Sequence, residues 1–259
     1  MSGFSADWLA LRTPADDRAR AADLIAEAGT RLAAPLDIVD LGAGTGATLR
    51  ALAPLLPTPQ RWRLVDADAA LLAEAKRRAP EVTGPAISAA FERADLLAEP
   101  GPWRTPPSLV TASALFDLTS ADWIARFAAA CAAARVPVLA MLTYDGHLAA
   151  APAHPHDAPM REAFNRHQRG DKSFGPAAGP DAPAVLAAAF AAHGYSVVER
   201  STPWVMERAR DAALIAATLE GWAGAARELG PAGAARIDRW LADRLADTET
   251  LEVGHRDQL

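Results

Sequence analysis

A short apolar run, LDIVDL (36–41), leads directly into the glycine turn GAGTGA (42–47) and then into ATLRALAPLL (47–56), whose apolar residues recur at helical spacing. No other feature constrains the fold as strongly. A buried strand that ends in glycines and opens a helix begins a doubly wound α/β sheet. Its turn lies at the carboxyl ends of the strands, where such sheets bind ligands. Glycines let the backbone approach a ligand closely, and the helix start offers free N–H groups.

The alternation continues along the chain. RWRLVDA (61–67) reads as a second strand, and Asp68 is placed to cap the helix AALLAEAKRRA (69–79). AISAAFERADL (86–96) and SLVTASALFDL (108–118) read as the third and fourth strands. TSADWIARFAAACAAA (119–134) reads as a helix capped by Thr119 or Ser120, and VPVLAMLTY (136–144) as the fifth strand. Parallel strands need such helical crossovers, so the spacing predicts a mostly parallel sheet with helices on both faces. Ahead of it, TPADDRARAADLIAEAGTRLA (13–33) reads as one helix with Pro14 near its start.

After Tyr144 the pattern breaks. Residues 145–183 are rich in Gly, Pro, His and charge, with one short helix, PMREAFNRHQR (159–169). A helix (182–194) and a strand, YSVVERSTPWVM (195–206), follow, then two helices (211–230 and 233–247) and an alternating tail, TLEVGHRDQL (250–259). The expected organisation is an N-terminal helical segment, 1–34, and one domain, 35–259, with helical cap insertions at about 145–183 and 208–248.

Composition excludes some classes. The formal net charge is -6, which disfavours broad nucleic-acid binding, since phosphate contacts need clustered Lys and Arg. The first residues lack the basic and apolar regions of a signal peptide, and no uncharged apolar run is long enough to span a membrane. Cys131 is the single cysteine, so no intrachain disulfide forms, which suits a reducing cytoplasm.

The glycine turn alone admits two ligands, a dinucleotide or S-adenosylmethionine. Asp40, two residues before Gly42, favours the second. A carboxylate beside the loop suits an ammonium group and opposes a diphosphate. Asp66, about 20 residues after the loop, is placed to accept from ribose hydroxyls, and Asp95 from an adenine amino group.

VDLGAGTG, LVDAD and RADL, in this order and at this spacing, resemble the class I S-adenosylmethionine-dependent methyltransferases. The resemblance covers residues 36–143 well and the remainder loosely. It implies a seven-stranded sheet with an antiparallel last strand, formed here by TLEVGHRDQL. It implies that Asp40, Gly42, Ala43, Gly44 and Gly46 line the methionine part, Asp66 and Ala67 the ribose, and Asp95 and Leu96 the adenine. Ser113 and Ala114 would lie near the sulfonium. The cofactor would be S-adenosylmethionine, leaving as S-adenosylhomocysteine.

Methyl transfer is an in-line displacement for which a general base is optional, so motifs guide the choice of acceptor weakly. The place after the fourth strand reads SALFDL, where DNA methyltransferases of this class carry an Asn-Pro-Pro-Tyr type motif. A small-molecule acceptor is expected. Phe116, Asp117 and Tyr144 are candidate contacts to it, and Tyr144, Asp145 and His147 are the weak catalytic candidates. Arg166, His167, Arg169 and Lys172 would favour an anionic acceptor if they face the pocket; otherwise they form a solvated basic face. Phe116 has core packing as its alternative. Three nearby histidines, 147, 154 and 156, follow no familiar ligand spacing, so no metal is expected. The competing functions are a nicotinamide-dependent oxidoreductase and a non-catalytic cofactor-binding protein. A monomer or a homodimer fits equally.

Overall fold

The computed structural model describes residues 4–230 and 233–259. Residues 1–3 of the N-terminal segment and 231–232 of the second cap insertion lie outside them. The sheet comprises β1 (Leu36–Leu41), β2 (Gln60–Asp66), β3 (Ile87–Arg93), β4 (Leu109–Ser113), β5 (Val138–Ala151), β6 (Glu199–Ser201), β7 (Trp204–Glu207) and β8 (Thr250–Gln258). Its order is β3-β2-β1-β4-β5-β8-β6, with β7 also paired to β8. The first five strands are parallel, and β8 runs antiparallel to β5, β6 and β7.

The expected antiparallel tail strand is therefore present, but the sheet has eight strands and not seven. The extra strand arises because 195–206 does not form one continuous strand. Thr202 and Pro203 interrupt it, and proline has no N–H to give to the ladder. A second departure concerns 13–33, read as a single helix. It is two, α1 (Ala6–Ala19) and α2 (Ala22–Arg31), with Pro14 inside α1. Ser5 caps α1, and Arg20 leaves helical geometry at φ -52, ψ 135. The first amide beyond the break, Ala21 N–H, donates to Asp257 on β8 at 2.8 Å. β5 also runs seven residues past Tyr144, so the start of the 145–183 stretch is strand.

The crossover helices are α3 (Ala47–Leu52), α4 (Ala69–Arg78), α5 (Ala121–Ala134) and α7 (Ala182–Ala191). Asp68 and Ser120 cap α4 and α5. Cys131 is fully buried on α5, and burial pushes its thiol up to about 12. Alternate strand residues serve opposite faces, as the two-residue period requires. Leu36, Ile38, Leu109, Leu139 and Met141 pack under α2, α3 and α4. Val39, Leu41, Val110, Ala112, Val138 and Ala140 pack under α5 and α7, against Trp123, Phe127 and Phe190. The remaining helices are α6 (Asp157–Gln168), α8 (Arg208–Glu228) and α9 (Ala234–Asp247). They build a third core with α1 on β7 and the first half of β8, centred on Trp204, Met206, Trp222 and Trp240. Among the described residues, no helix is long and apolar enough to cross a membrane.

Candidate active site

Strand period fixes which side chains meet at the carboxyl edge. Asp40 shares a face with Ile38, while Thr111 and Ser113 share that face with Leu109 on the neighbouring strand. All three point toward the α1–α2 break, where Arg20 enters. Arg20 Nη1 donates to Ser113 Oγ at 2.9 Å, and Ser113 also bonds Thr48 of α3 at 3.0 Å. Asp40 is fully buried. Its Oδ1 accepts from Thr111 Oγ1 at 2.8 Å, while its Oδ2 has no partner. Arg20 is 8% exposed, and its Nε makes no hydrogen bond but lies 3.7 Å from Asp17 Oδ1. Burial pushes the Asp40 carboxyl up to about 7, against the hydroxyls of Thr111 and Thr48 and the charge of Arg20.

The glycine loop begins two residues after Asp40. Gly42, Gly44 and Gly46 have φ of +62°, +53° and +75°, where a side chain would strain the backbone. Buried Ala43 donates its amide to Val65 at 3.1 Å, fixing the loop to the end of β2. Gly44 N–H donates to Asp66 Oδ2 at 2.8 Å, and Asp68 N–H to Asp66 Oδ1 at 2.9 Å. Leu9 of α1 lies against Gly44 and Leu115 against Gly42, so apolar side chains line the outer side of the loop. Ala67 is exposed beside Asp66. Asp95 is exposed in a turn, accepting from Leu97 N–H, and Ala94 N–H bonds Asp66 O, which sets the two acids side by side. Leu96 is buried, and its carbonyl accepts from Trp123 Nε1 at 2.6 Å. Ala114 holds a left-handed φ of +51°, a strained geometry at the strand end beside the loop.

The acceptor candidates separate. Phe116 is core: it is 1% exposed, with its ring 5.5 Å from Phe127 and 6.3 Å from Trp123. The aromatic cluster takes up the ring, which is the core packing that the sequence also allowed. Asp117, next in the same turn, has a buried Oδ1 with no partner, and burial pushes its carboxyl up to about 6. Tyr144 is buried, donates to Asn165 Oδ1 at 2.6 Å, and has its hydroxyl pKa raised chiefly by burial. Asp145 is held by Arg256 at 2.9 Å and by the His147 amide. His147 is exposed and pairs with Glu252 at 3.3 Å. Arg169 is exposed and ion-paired with Asp181, Arg166 is exposed, and His167 sits between Glu228 and Lys172.

Three residues escaped the sequence reading. Arg20 reaches the loop from the helix break. Arg12 of α1 is gripped by Asp16 at 2.9 and 3.1 Å and lies 5.1 Å over Trp204. His255 of β8 is 5% exposed with Nδ1 unpartnered, its ring 6.4 Å from Tyr144. Burial lowers its pKa to about 3. In sequence, each is an ordinary polar residue far from any motif.

No family model matches the chain. It is 41% identical over 114 residues to trans-aconitate 2-methyltransferase from Methylobacterium nodulans, a match spanning 42% of this chain and 39% of that relative. A cyclopropane-fatty-acyl-phospholipid synthase-like protein from Lactobacillus casei superposes with a TM-score of 0.58 at 16% identity, covering 99% of this chain and 95% of that one. The cyclopropane synthase MmaA2 from Mycobacterium tuberculosis superposes at 0.53 and 14% identity, covering 97% and 94%. The chain has the class I methyltransferase fold. Within that fold, the unpartnered Asp40 Oδ2 and the buried Arg20 present opposite charges beside the glycine loop. They fit the ammonium and carboxylate of an amino-acid group, so the donor set suits S-adenosylmethionine better than a dinucleotide diphosphate.

Proposed function

We propose that the protein transfers a methyl group from S-adenosylmethionine to a small-molecule acceptor. The observation that carries this reading is the fully buried Asp40 carboxyl, whose Oδ2 lacks a partner beside the glycine loop. An ammonium group satisfies it; a diphosphate placed there meets like charge in a medium of low dielectric. Arg20 would hold the carboxylate of the same amino-acid moiety, and Asp66 the ribose hydroxyls. When bound, the cofactor supplies an electrophilic methyl on a sulfonium. The chain's contribution is alignment and exclusion of water, through the loop amides, Leu9 and Leu115. The partial similarity to trans-aconitate 2-methyltransferase supports a small acceptor. The net charge of -6 argues against nucleic acid. The single buried cysteine fits a cytoplasmic setting. We further propose that α1 and the insertions at about 145–183 and 208–248 cover the acceptor side, because they pack as one core against β7 and β8.

Isothermal titration with S-adenosylmethionine and with NAD+ tests this. Binding of the first alone is expected, weakened at least about tenfold in Asp40→Asn, since the lost group pairs with a charge. Tight NAD+ binding with no response to S-adenosylmethionine would reverse the assignment.

A further inference from the structure

We propose that Asp117 and His255 line the acceptor half of the site and select a nucleophile that carries a proton, a hydroxyl or an amine, with Asp117 receiving that proton. The inference rests on the methyl-transfer reading above and names the acceptor chemistry of the same site.

Three remote segments converge here. Asp117 lies in the single 3-10 turn Phe116–Leu118 that follows β4. The turn is anchored because the aromatic cluster holds the Phe116 ring, and this fixes Asp117 at the carboxyl edge. His255 arrives on the antiparallel strand β8, and Tyr144 on β5 stands against it with ring centroids 6.4 Å apart. Arg12 of α1 is close enough to lower the pKa of both Asp117 and His255. Asp117 Oδ1 and His255 Nδ1 are both buried and both without a partner. A polar atom sealed from water without a hydrogen bond costs on the order of 1–3 kcal/mol, so each of these atoms asks for a ligand that satisfies it.

The charges around these atoms decide which ligand. Arg12 is committed to Asp16, to which it donates two hydrogen bonds. The Tyr144 hydroxyl spends its hydrogen bond on Asn165 Oδ1, and Asn165 Nδ2 in turn donates to Gly146 O at 3.0 Å. Burial places Asp117 at about 6 and His255 at about 3, so at neutral pH Asp117 is a carboxylate and His255 an uncharged imidazole. A carboxylate nucleophile would meet the Asp117 charge in a dry setting and leave both atoms unsatisfied. A hydroxyl or amine donates to Asp117 directly. Asp117 then takes the proton as the nucleophile's lone pair forms the bond to the methyl carbon and the donor's C–S bond breaks onto sulfur. The products are the methylated acceptor, the neutral thioether and a protonated Asp117, which balances atoms and charge. A carboxyl poised near 6 suits this task, because it is ionised at neutral pH yet more basic than an exposed aspartate.

The test uses the full-length protein with methyl-labelled S-adenosylmethionine and two probe sets. One holds the carboxylates trans-aconitate and citrate; the other holds small phenols, catechols and primary amines. Label is expected in a hydroxyl or amine probe and not in a carboxylate. For that probe, Asp117→Asn should lower kcat about 100-fold or more, with KM and S-adenosylmethionine affinity within threefold, and should remove the acid limb of the pH profile near 6. Independently of turnover, the 13C resonance of the Asp117 carboxyl, identified by its loss in Asp117→Asn, should shift when that probe is added to the cofactor-free protein. Label in trans-aconitate overturns the proposal. So does the absence of label in every hydroxyl and amine probe, or an Asp117→Asn kcat within threefold of wild type. Failure of wild type to bind S-adenosylmethionine is read out separately by calorimetry and counts against the cofactor reading instead.

Discussion

Asp40 is an ionisable group that the fold has removed from water. Thr111 on β4, Thr48 on α3, Arg20 at the helix break and Asp66 on β2 face it, and burial still outweighs the favourable contacts, holding it at about 7. Its folded pKa lies above its unfolded value, so its contribution to stability is fully present below about 4 and is lost as pH rises through about 7. The span corresponds to something on the order of 4 kcal/mol. Urea unfolding of the cofactor-free protein should therefore show Asp40→Asn gaining stability relative to wild type from pH 5 to pH 8; a gain that does not depend on pH would contradict the burial argument. Cofactor affinity should run the other way. An ammonium ligand needs the ionised carboxyl, so S-adenosylmethionine should bind more tightly as pH rises through about 7, with proton release visible in buffers of different ionisation enthalpy. Asp40→Asn should bind weakly and without that slope. The sequence disclosed Asp40, the three glycines and Asp66 because one strand-turn-helix junction carries the first four and the next strand end carries the last. It did not disclose Arg20, Arg12 or His255. Their roles depend on where α1 and β8 dock, and no local spacing records that.

Elements were legible where their own residues decide them. Ser120 begins α5 and Asp68 begins α4 through side-chain bonds to nearby amides, as short-range chemistry requires. The break between α1 and α2 was not legible, since RAA continues a helical pattern, while Arg20 is drawn to Ser113 and the Ala21 amide to Asp257 by distant segments. The split of the penultimate strand was marked by Pro203, a signal that the strand-like stretches 195–201 and 204–206 on either side of it obscured. Two tests follow from element packing. Phe127 is fully buried and stacks 5.4 Å from Trp123. Phe127→Ala should cost about 3–5 kcal/mol in chemical denaturation. The same cavity should loosen the Phe116–Leu118 turn, seen as faster amide exchange at Thr119, whose N–H donates to Phe116 O. Gly44→Ala tests how α1 sits on the loop. Its φ of +53° resists any side chain, and a Cβ would lie 3.2 Å from Leu9. A loss of about 1–2 kcal/mol is expected from the backbone alone. Adding Leu9→Ala should therefore leave most of the loss in place; full rescue would mean that the contact, and not φ, governs the loop.

At the scale of the molecule, the half that tells least in sequence joins the rest together. β8 pairs with β5, β6 and β7, and its Asp257 collects donors from three separate regions. Ala21 N–H from the N-terminal helices donates at 2.8 Å, Leu142 N–H from the bulged part of β5 at 2.7 Å, and Thr202 Oγ1 from the strand break at 3.0 Å. Arg18 to Asp211 at 2.8 Å and Trp204 Nε1 to Asp16 at 2.9 Å tie the same helices to the C-terminal cap. The glycine loop is built early in the chain, yet Arg20 above it is positioned by a residue near the other end. Parallel half and cap should accordingly unfold as one unit. Asp257→Ala leaves three buried donors without an acceptor and should cost roughly 3 kcal/mol or more. Asp257→Asn keeps one oxygen and should cost less, because Leu142 and Thr202 can still share it. In both variants, tryptophan fluorescence and far-UV circular dichroism should give coincident urea transitions. If Asp257→Ala instead melts the tryptophan-rich cap first and leaves the parallel strands folded, α1 and α2 are held over the loop by local packing and not by this junction.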